Sequence, residues 1–226
     1  MNGLRSRGQV SPSNEGTIYI IDDCRSMRLM LTAIVNNAGY QAHAFESGEE
    51  FLTACSNAIT EPACLLLDVE MPGMNGTSVQ QQLIANALQI PIIVISGSVD
   101  VPTAVKMMRA GAADLLEKPF TANAVLSAIG RVLVQERCRL GEARKHRLLE
   151  KRMECLSQRE HEVLEEVLHG HTTKQIAAKF DIGVKTIAKH KARVLHKMGV
   201  KNDLELLLAL TQPADLPVED HSHMPS

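Results

Sequence analysis

The first part of the chain alternates between two hydrophobic patterns. From about residue 17 to residue 135, short and largely apolar runs are separated by stretches whose apolar residues recur at helical spacing. The strand-like runs are TIYII, YQAHAF, CLLLDV, IPIIVISG and AADLLEKPF. Apolar strands that alternate with helices are typical of a parallel sheet covered on both faces. Residues 17–135 are therefore predicted to form an α/β domain with a doubly wound, five-stranded parallel sheet.

After residue 155 the pattern changes to helices separated by short breaks. Ser157, followed three residues later by Glu160, predicts a capping box at the start of the first helix, and Gly170 ends that helix. The segment TKQIAAKF predicts a short second helix, DIG a turn, and residues 184–198 a third helix. Residues 156–212 are therefore predicted to be a small all-α domain with a helix-turn-helix.

The segments outside these two domains are polar. Residues 136–155 contain 11 charged residues of both signs, which predicts a helical linker. The leader, residues 1–16, and the Pro-rich acidic tail, residues 213–226, are predicted to be disordered. No apolar run reaches the roughly 18 residues of a membrane helix, and the N-terminus lacks the apolar core of a signal peptide. A cytoplasmic protein without a membrane partner is expected.

Charge is divided unevenly along the chain. The formal net charge is −2, and residues 17–135 contain 11 acidic and six basic residues. Residues 174–201, in contrast, contain eight lysines and arginines and one aspartate, a local charge of +7. A positive segment of this density is the electrostatic pattern of nucleic-acid binding. The net charge of the whole chain conceals this signal.

Three aspartates stand where predicted strands run into loops. Asp22 and Asp23 follow the first strand, and Asp68 lies near the end of the third. Ligands of open α/β sheets bind beyond the carboxyl ends of the strands, so these carboxylates are expected to meet there. Two like charges about 4 Å apart repel by on the order of 4 kcal/mol at an effective dielectric constant near 20. A Mg²⁺ ion, which prefers carboxylate and phosphate oxygens, would remove that repulsion.

A hydroxyl and a lysine complete this candidate site. Ser96 ends the fourth predicted strand, and Lys118 ends the fifth. A lysine, a hydroxyl and Mg²⁺ around one carboxylate can stabilise a transferring phosphoryl group while the carboxylate attacks it. A lone aspartate after a strand is more often a turn residue or a helix cap, and a lone lysine is usually solvated. The prediction therefore depends on the combination.

These segments carry a family resemblance. IYIIDD, LLLDVEMPGMNG, IVISG and GAADLLEKPF resemble the receiver domain of response regulators, which has a flavodoxin-like fold. The resemblance implies that Asp68 is the phosphoacceptor and that Ser96 and Lys118 hold the phosphoryl oxygens. The Lys118–Pro119 bond resembles the family's cis peptide. The Mg²⁺ ligands that the resemblance implies are Asp22, Asp23, Asp68 and the backbone carbonyl of Glu70.

One position departs from the receiver pattern. Three residues before the lysine, where the family usually has Tyr or Phe as a rotating switch residue, this chain has Leu115. Together with Ser96, Leu115 is predicted to form the switch, although leucine has no ring to turn inward. A smaller energy difference between the two states is therefore expected. The alternative is that Leu115 only packs at the surface.

The third helix of the C-terminal domain has one basic and one apolar side. At about 100° per residue, its basic residues fall within about 120° of arc and its apolar residues lie on the other side. The basic residues are Lys185, Lys189, Arg193, His196 and Lys197. The second helix of a helix-turn-helix lies in the major groove of DNA, which would place these residues against the duplex. A Lys-rich face that is only solvated is the alternative.

The C-terminal segment, from LSQREHEVLEEVLHG to VLHKMGVKN, resembles the LuxR-type helix-turn-helix. With the receiver in front of it, the whole chain is similar to response regulators of the NarL/FixJ family. Gly183 stands where the family prefers Ser, so a weaker helix cap is expected. A packed histidine is the alternative interpretation of His190. The basic arc adds Lys197 to the candidate DNA contacts that the resemblance implies, which are Lys174, Lys185, Thr186, Lys189, His190 and Arg193.

These features predict a DNA-binding transcriptional regulator of a two-component system that is not an enzyme. The resemblance implies a sensor histidine kinase as phosphodonor, Mg²⁺ as cofactor, double-stranded DNA as target and a homodimer in the phosphorylated state. Two other interpretations stay open. One is a Mg²⁺-dependent phosphohydrolase with Asp68 as nucleophile, for which the loops are short. The other is an interaction module whose basic helix binds protein.

Overall fold

The structure is a computed structural model in which residues 16–55, 59, 61–97 and 106–211 are described. The chain divides into two compact units, residues 1–140 and residues 141–226. The leader predicted for residues 1–16 lies outside the described residues except for Gly16. The tail predicted for residues 213–226 lies entirely outside them.

Five parallel strands form the sheet of the first unit. In chain order they are β1 (Thr17–Ile21), β2 (Gln41–Phe45), β3 (Ala63–Asp68), β4 (Ile92–Ser96) and β5 (Asp114–Glu117). Their order across the sheet is β2-β1-β3-β4-β5, and each neighbouring pair is parallel. The predicted doubly wound α/β fold is confirmed. The chain reverses its direction of progress across the sheet between β1 and β3, which is where such sheets bind ligands.

Helices cover both faces of this sheet. They are α1 (Arg25–Asn37), α2 (Gly48–Ala54), α3 (Gly76–Ala85), α4, of which residues 106–109 are described, and α5 (Ala122–Glu154). One face packs on α1 and α5 through Leu31 and Ile129. The other face packs on α2, α3 and α4 through Phe51, Val79 and Met107. Because both faces are covered, β3 and β4 are buried along their whole length, which explains their continuously apolar sequences.

The last helix of the first unit continues well beyond the sheet. α5 is a single helix of 33 residues, and its contribution to the core of the sheet ends at Leu133, just before the buried Glu136. The residues predicted as a linker, 136–155, form the rest of this helix through Glu154. Although their sequence is mostly charged, Leu149 and Met153 of this part of α5 pack against the core of the second unit. The predicted domain bounds, 17–135 and 156–212, stay predictions.

The second unit is helical. Beyond the end of α5 it contains α6 (Gln158–Leu168), α7 (Thr173–Phe180), α8 (Val184–Met198) and α9 (Asp203–Thr211). Capping boxes at Ser157 and Thr172 satisfy backbone N–H groups at the start of α6 and α7. The core contains Val163, Ile176 and Ile187, one residue from each of the first three helices. The predicted small all-α domain after the α/β domain is confirmed.

Candidate functional sites

Asp22, Asp23 and Asp68 come together at the carboxyl edge of the sheet. β1 and β3 are hydrogen-bonded neighbours, so the residues at their ends are brought side by side. One carboxylate oxygen from each of the three aspartates lies within 4.8 Å of the other two. Asp22 and Asp68 are only 1 % and 4 % exposed, whereas Asp23 is exposed. We call this group the acidic cluster.

Lys118 is the cation that faces the acidic cluster. It follows β5, and its Nζ lies 2.8 Å from Oδ2 of Asp68 and 3.5 Å from Oδ2 of Asp22. The Lys118–Pro119 peptide bond is cis. Burial lowers the pKa of Lys118, but the hydrogen bond to Asp68 and the two carboxylate charges outweigh burial and raise that pKa overall. The ammonium group therefore remains charged at neutral pH.

One lysine does not balance the charge of the acidic cluster. Burial raises the pKa of Asp22, and the charge of Asp68 adds to that rise. Two contacts oppose the rise in the pKa of Asp22: the backbone N–H of Cys24, which donates to Oδ1 across 2.8 Å, and Lys118. The pKa of Asp22 is raised overall, chiefly by burial, and a bound cation would oppose that rise. A site that offers several carboxylate oxygens, and that carries more negative than positive charge, fits Mg²⁺.

Ser96 ends β4, next to β3, with an unsatisfied hydroxyl. Its side chain is fully buried, and among the described residues its Oγ has no hydrogen-bond partner. The backbone N–H of Lys118 donates to the carbonyl of Ser96 across 2.7 Å, which joins the ends of β4 and β5. Leaving a buried hydroxyl unpaired costs about 1–3 kcal/mol. Such a group suits a site whose hydrogen-bond acceptor arrives with the ligand.

The loop after β3 is packed closely against Asp68. The backbone N–H of Glu70 donates to Oδ1 of Asp68 across 3.3 Å, while coordination of a metal by the Glu70 carbonyl stays a prediction. A Cβ atom at Gly76, the first residue of α3, would lie 2.6 Å from the backbone oxygen of Asp68. Any side chain at position 76 would therefore displace α3 or Asp68. The glycines and proline of PGMNG by themselves predict only a turn, because this requirement arises from a contact with β3.

Leu115 lies in β5 opposite Val94 of β4. It is half-buried and packs on the same core as Val94, between the sheet and helices α2, α3 and α4. Ser96 is two residues after Val94 and so shares its face of the sheet. The predicted switch pair therefore lies on one face of two adjacent strands. Its part in a conformational change stays a prediction.

Four of the candidate DNA contacts are exposed on one side of α8. They are Lys185, Thr186, Lys189 and Arg193, and we call them the basic face. The opposite side packs into the domain core through Ile187, Val194 and Met198. Lys174 is exposed near the start of α7. Gly183 is the residue that caps the start of α8 and supplies no side-chain hydrogen bond there, and the weakness of this cap stays a prediction.

Lys197, at the edge of the same helical arc, is bound within the domain. Its Nζ donates to Oε2 of Glu160 across 2.6 Å and to the backbone carbonyl of Cys155 across 3.0 Å. Glu160 is 3 % exposed and also accepts the backbone N–H of Ser157. The hydrogen bond from Lys197, followed by that from Ser157, lowers the pKa of Glu160 to about 2. Lys197 therefore joins α8 to the start of α6.

Two further residues, Lys191 and His190, lie on the flanks of α8. Lys191, which falls on the apolar arc of the sequence, pairs with Asp203 at the start of α9 across 2.5 Å. His190 is half-buried, and its Nδ1 has no hydrogen-bond partner within the described part of the chain. Lys191 and His190 are therefore partly buried on the flanks of α8, whereas the residues of the basic face are exposed.

Arg28 is a further residue at the acidic cluster, and the sequence analysis did not single it out. Its Nη1 donates to the backbone carbonyls of Asp22 and Asp23 across 2.7 and 2.9 Å. In sequence it appears as an ordinary polar residue of an amphipathic helix. The contact depends on how the first turn of α1 folds over the loop between β1 and α1, which the hydrophobic pattern does not show.

Comparison with known proteins matches both domains. Residues 18–130 match the response regulator receiver domain, and residues 154–210 match the luxR family of bacterial regulatory proteins. The transcriptional regulatory protein FixJ of Bradyrhizobium diazoefficiens is 32% identical over 204 residues, which cover 90% of this chain and 98% of FixJ. The chain is a response regulator of the NarL/FixJ family. It is a phosphorylation-dependent, DNA-binding regulator of transcription.

Other relatives agree with this assignment. The response regulator protein TodT of Pseudomonas putida is 38% identical over 190 residues, which cover 84% of this regulator and 83% of TodT. The solved structure of the response regulator StyR aligns with a TM-score of 0.78 and 32% identity, over 87% of this chain and 98% of StyR. The family is one of transcription regulators, so the phosphohydrolase alternative is not favoured. Every helix in the described residues is too short or too polar to span a bilayer.

Proposed function

We propose that Asp68 accepts the phosphoryl group from the phosphohistidine of a sensor histidine kinase. The observation that supports this most directly is the position of Asp68, in contact with Nζ of Lys118 and beside the unsatisfied hydroxyl of Ser96. A carboxylate oxygen of Asp68 forms the bond to phosphorus as the bond from phosphorus to the donor nitrogen breaks. The product is an aspartyl phosphate.

Lys118 and Ser96 would hold the transferred group. Phosphorylation moves negative charge from the carboxylate of Asp68 onto the phosphoryl oxygens, so the ammonium group of Lys118 can exchange one acceptor for another. The hydroxyl of Ser96 would donate to a phosphoryl oxygen and thereby gain a partner that the described residues do not provide. The hydroxyl of Ser96 would then stabilise the phosphorylated state more than the unphosphorylated state.

The acidic cluster would hold Mg²⁺ through Asp22, Asp23 and Asp68, with the backbone carbonyl of Glu70 as a further ligand. The ion would neutralise charge on the transferring oxygens. The chain's own contribution is to keep three carboxylates within 4.8 Å of one another despite their repulsion.

Labelling with a small phosphodonor tests this assignment. With Mg²⁺ present, the protein should gain one acid-labile phosphate, and Asp68→Asn should prevent it. Asp114→Asn, which changes an aspartate of the same domain outside the cluster, is the matched control and should be labelled like the wild type. Labelling that persists in Asp68→Asn, or in the wild type with all divalent metal removed, contradicts the proposal.

We also propose that the basic face of α8 binds double-stranded DNA, helped by Lys174 and His190. This proposal leaves out Lys197, because its charge is already matched by Glu160. Each lysine or arginine that contacts a phosphate should contribute about −0.9 to the slope of log K against log salt concentration. Loss of a phosphate contact weakens binding to all sequences, whereas loss of a base contact relaxes specificity.

Binding of Lys189→Ala and Arg193→Ala to selected DNA across a salt series tests this face. The matched control is Lys151→Ala, which removes the same charge from α5 at an exposed position. We expect each α8 variant to lose affinity or specificity and the control to change little. If both α8 variants bind like the control, another surface contacts the DNA.

Phosphorylation is proposed to favour a homodimer in the cytoplasm, where the DNA target lies. A single small helix-turn-helix offers limited contact with DNA, and two copies can contact paired half-sites about one helical turn apart. Sedimentation with and without phosphodonor measures the change in mass. An unchanged monomer that binds DNA tightly in its phosphorylated form would exclude this part of the proposal.

A further inference from the structure

The loop between β1 and α1 carries two of the three carboxylates of the acidic cluster and is only three residues long. β1 ends at Ile21 and α1 begins at Arg25. Within this loop the backbone N–H of Cys24 donates to the side chain of Asp22, and the carbonyl of Cys24 accepts the first helical N–H. The carbonyls of Asp22 and Asp23 are the acceptors that remain.

Arg28 binds both of those carbonyls with one nitrogen. Its Nη1 donates to the carbonyl of Asp22 across 2.7 Å and to that of Asp23 across 2.9 Å. The side chain is 17% exposed, and its Nη2 lies 3.7 Å from Oε2 of Glu46 in the loop after β2. The guanidinium group is therefore held between two loops at the carboxyl edge of the sheet.

Fixing two successive carbonyls fixes where the carboxylates stand. Each carbonyl is part of a planar peptide unit, so its direction limits the backbone dihedral angles on either side. Those angles set the direction in which the side chains of Asp22 and Asp23 leave the backbone. Repulsion between three carboxylates would otherwise open this short loop, because separation lowers their mutual energy.

We infer that Arg28 is a positioning residue for the divalent cation: it holds Asp22 and Asp23 in the arrangement that binds the ion. This inference rests on the proposed function of the acidic cluster. Arginine suits the role because its planar fork keeps several donors in a fixed geometry, whereas the ammonium group of lysine is a compact point charge. Glu46 is well exposed in water, so its ion pair with Arg28 contributes less than the two carbonyl contacts.

Direct Mg²⁺ binding to the unphosphorylated full-length protein, measured by calorimetry, tests the inference. Partners that orient metal ligands typically change metal affinity about 10–100-fold, so Arg28→Ala should raise the dissociation constant within that range. Arg28→Lys should give an intermediate value, because it retains the charge and loses the fork. Arg25→Ala, an exposed arginine three residues earlier on the same helix, is the matched control and should bind like the wild type.

Phosphorylation kinetics separate positioning from a purely structural role. In Arg28→Ala the Mg²⁺ concentration for half-maximal phosphorylation should rise with the dissociation constant, while the maximal rate at saturating Mg²⁺ stays close to that of wild type. Hydrogen exchange of β1 and α1 in metal-free buffer should also stay close to wild type outside the loop. A variant that loses metal-free protection throughout β1 and α1 overturns the positioning role in favour of a structural one.

The remaining outcomes distinguish this inference from the function on which it rests. Wild-type protein that does not bind Mg²⁺ overturns the proposed cation site itself. Wild-type binding with unchanged dissociation constants in Arg28→Ala and Arg28→Lys leaves that site intact and overturns the role of Arg28.

Discussion

In the acidic cluster of the receiver domain, three carboxylates face one lysine, whereas in the C-terminal domain each buried glutamate has a lysine of its own. Glu160 pairs with Lys197, and Glu166 pairs with Lys179 and His171. Carboxylates and lysines are used in both places. The difference is whether the charges balance within the folded chain.

Balanced charges hold elements together, and unbalanced charges bind ligands. The acidic cluster keeps an excess of negative charge, with three carboxylates beside one lysine, and burial raises the pKa of Asp22 there. On α8, the ion pairs found in the described structure are those of Lys191 and Lys197, on the flanks of the helix. Lys185, Lys189 and Arg193 stay exposed as an excess of positive charge. One domain is therefore suited to a cation and the other to a polyanion.

The largest effect is expected for Lys197→Ala, which removes the cation that pairs with Glu160. Glu160 would remain buried without its cation, and breaking a buried ion pair costs several kcal/mol. Because the side chain of Lys197 is 36% exposed, we expect a smaller loss, about 2 kcal/mol in the free energy of opening α6 and α8. Hydrogen exchange of peptides from these helices measures it.

Lys189→Ala is the matched control for that measurement, because it removes the same side chain from the same helix on the basic face. An exposed substitution of this kind should change the free energy of opening by less than about 0.5 kcal/mol. If Lys189→Ala destabilises α8 as much as Lys197→Ala does, the division between structural and ligand-binding lysines fails.

The pH dependence of the same ion pair is the next prediction. The pKa of Glu160 is lowered from 4.5 to about 2 in the folded state, so its contribution to stability is complete above about pH 4.5. That contribution should be lost as the pH falls from 4.5 toward 2, because the unfolded chain then binds a proton that the folded domain does not. Protection of α6 in wild type should fall across this window relative to Glu160→Gln. Parallel pH profiles in the two proteins would show that the pair does not stabilise the domain.

Asp23→Asn tests the acidic cluster by removing one of its excess negative charges. Removing one of three repelling carboxylates should stabilise the metal-free receiver domain by about 1 kcal/mol, since Asp23 is exposed and its charge is screened by water. With saturating Mg²⁺ the sign should reverse, because a ligand is lost. Both tyrosines of the chain, Tyr19 and Tyr40, lie in this domain, so tyrosine fluorescence during urea unfolding reports on it alone.

Glu61→Gln, an exposed acid before β3, is the control for Asp23→Asn and should show no such reversal with Mg²⁺. A loss of stability in Asp23→Asn without metal would mean that the three carboxylates are not in repulsion.

The smallest expected effect concerns Leu115. Its half-buried side chain packs with Val94 on the face that Ser96 shares, and leucine is small enough to stay packed in both states. Leu115→Phe should add a ring whose packing differs between the states and so widen the phosphorylation-dependent difference in dimer affinity. We expect about threefold, which is below about 1 kcal/mol. Sedimentation of both proteins with and without phosphodonor measures it, and equal gains would mean that Leu115 takes no part in switching.

The fold was largely predictable from local pattern. Apolar strands alternating with helices predicted the doubly wound sheet, because only burial on both faces permits such continuous runs. The placement of Asp22, Asp68, Ser96 and Lys118 at strand ends followed from the parallel arrangement. The length of α5 could not be predicted in this way. Its charged second half was predicted as a separate helical linker, whereas the helix continues unbroken to Glu154.

By itself the sequence determined the order of the elements, the meeting of three carboxylates with a lysine, and the basic arc of α8. These properties follow from periodicity and from the alternation of strands with helices, both of which can be read along the chain. Only the tertiary structure decided which charges are free to bind a ligand. It paired Lys197 with Glu160 and Lys191 with Asp203, and it brought Arg28 to the carbonyls of Asp22 and Asp23. The partner of a side chain lies on another element, and periodicity along one helix carries no information about what packs across from it.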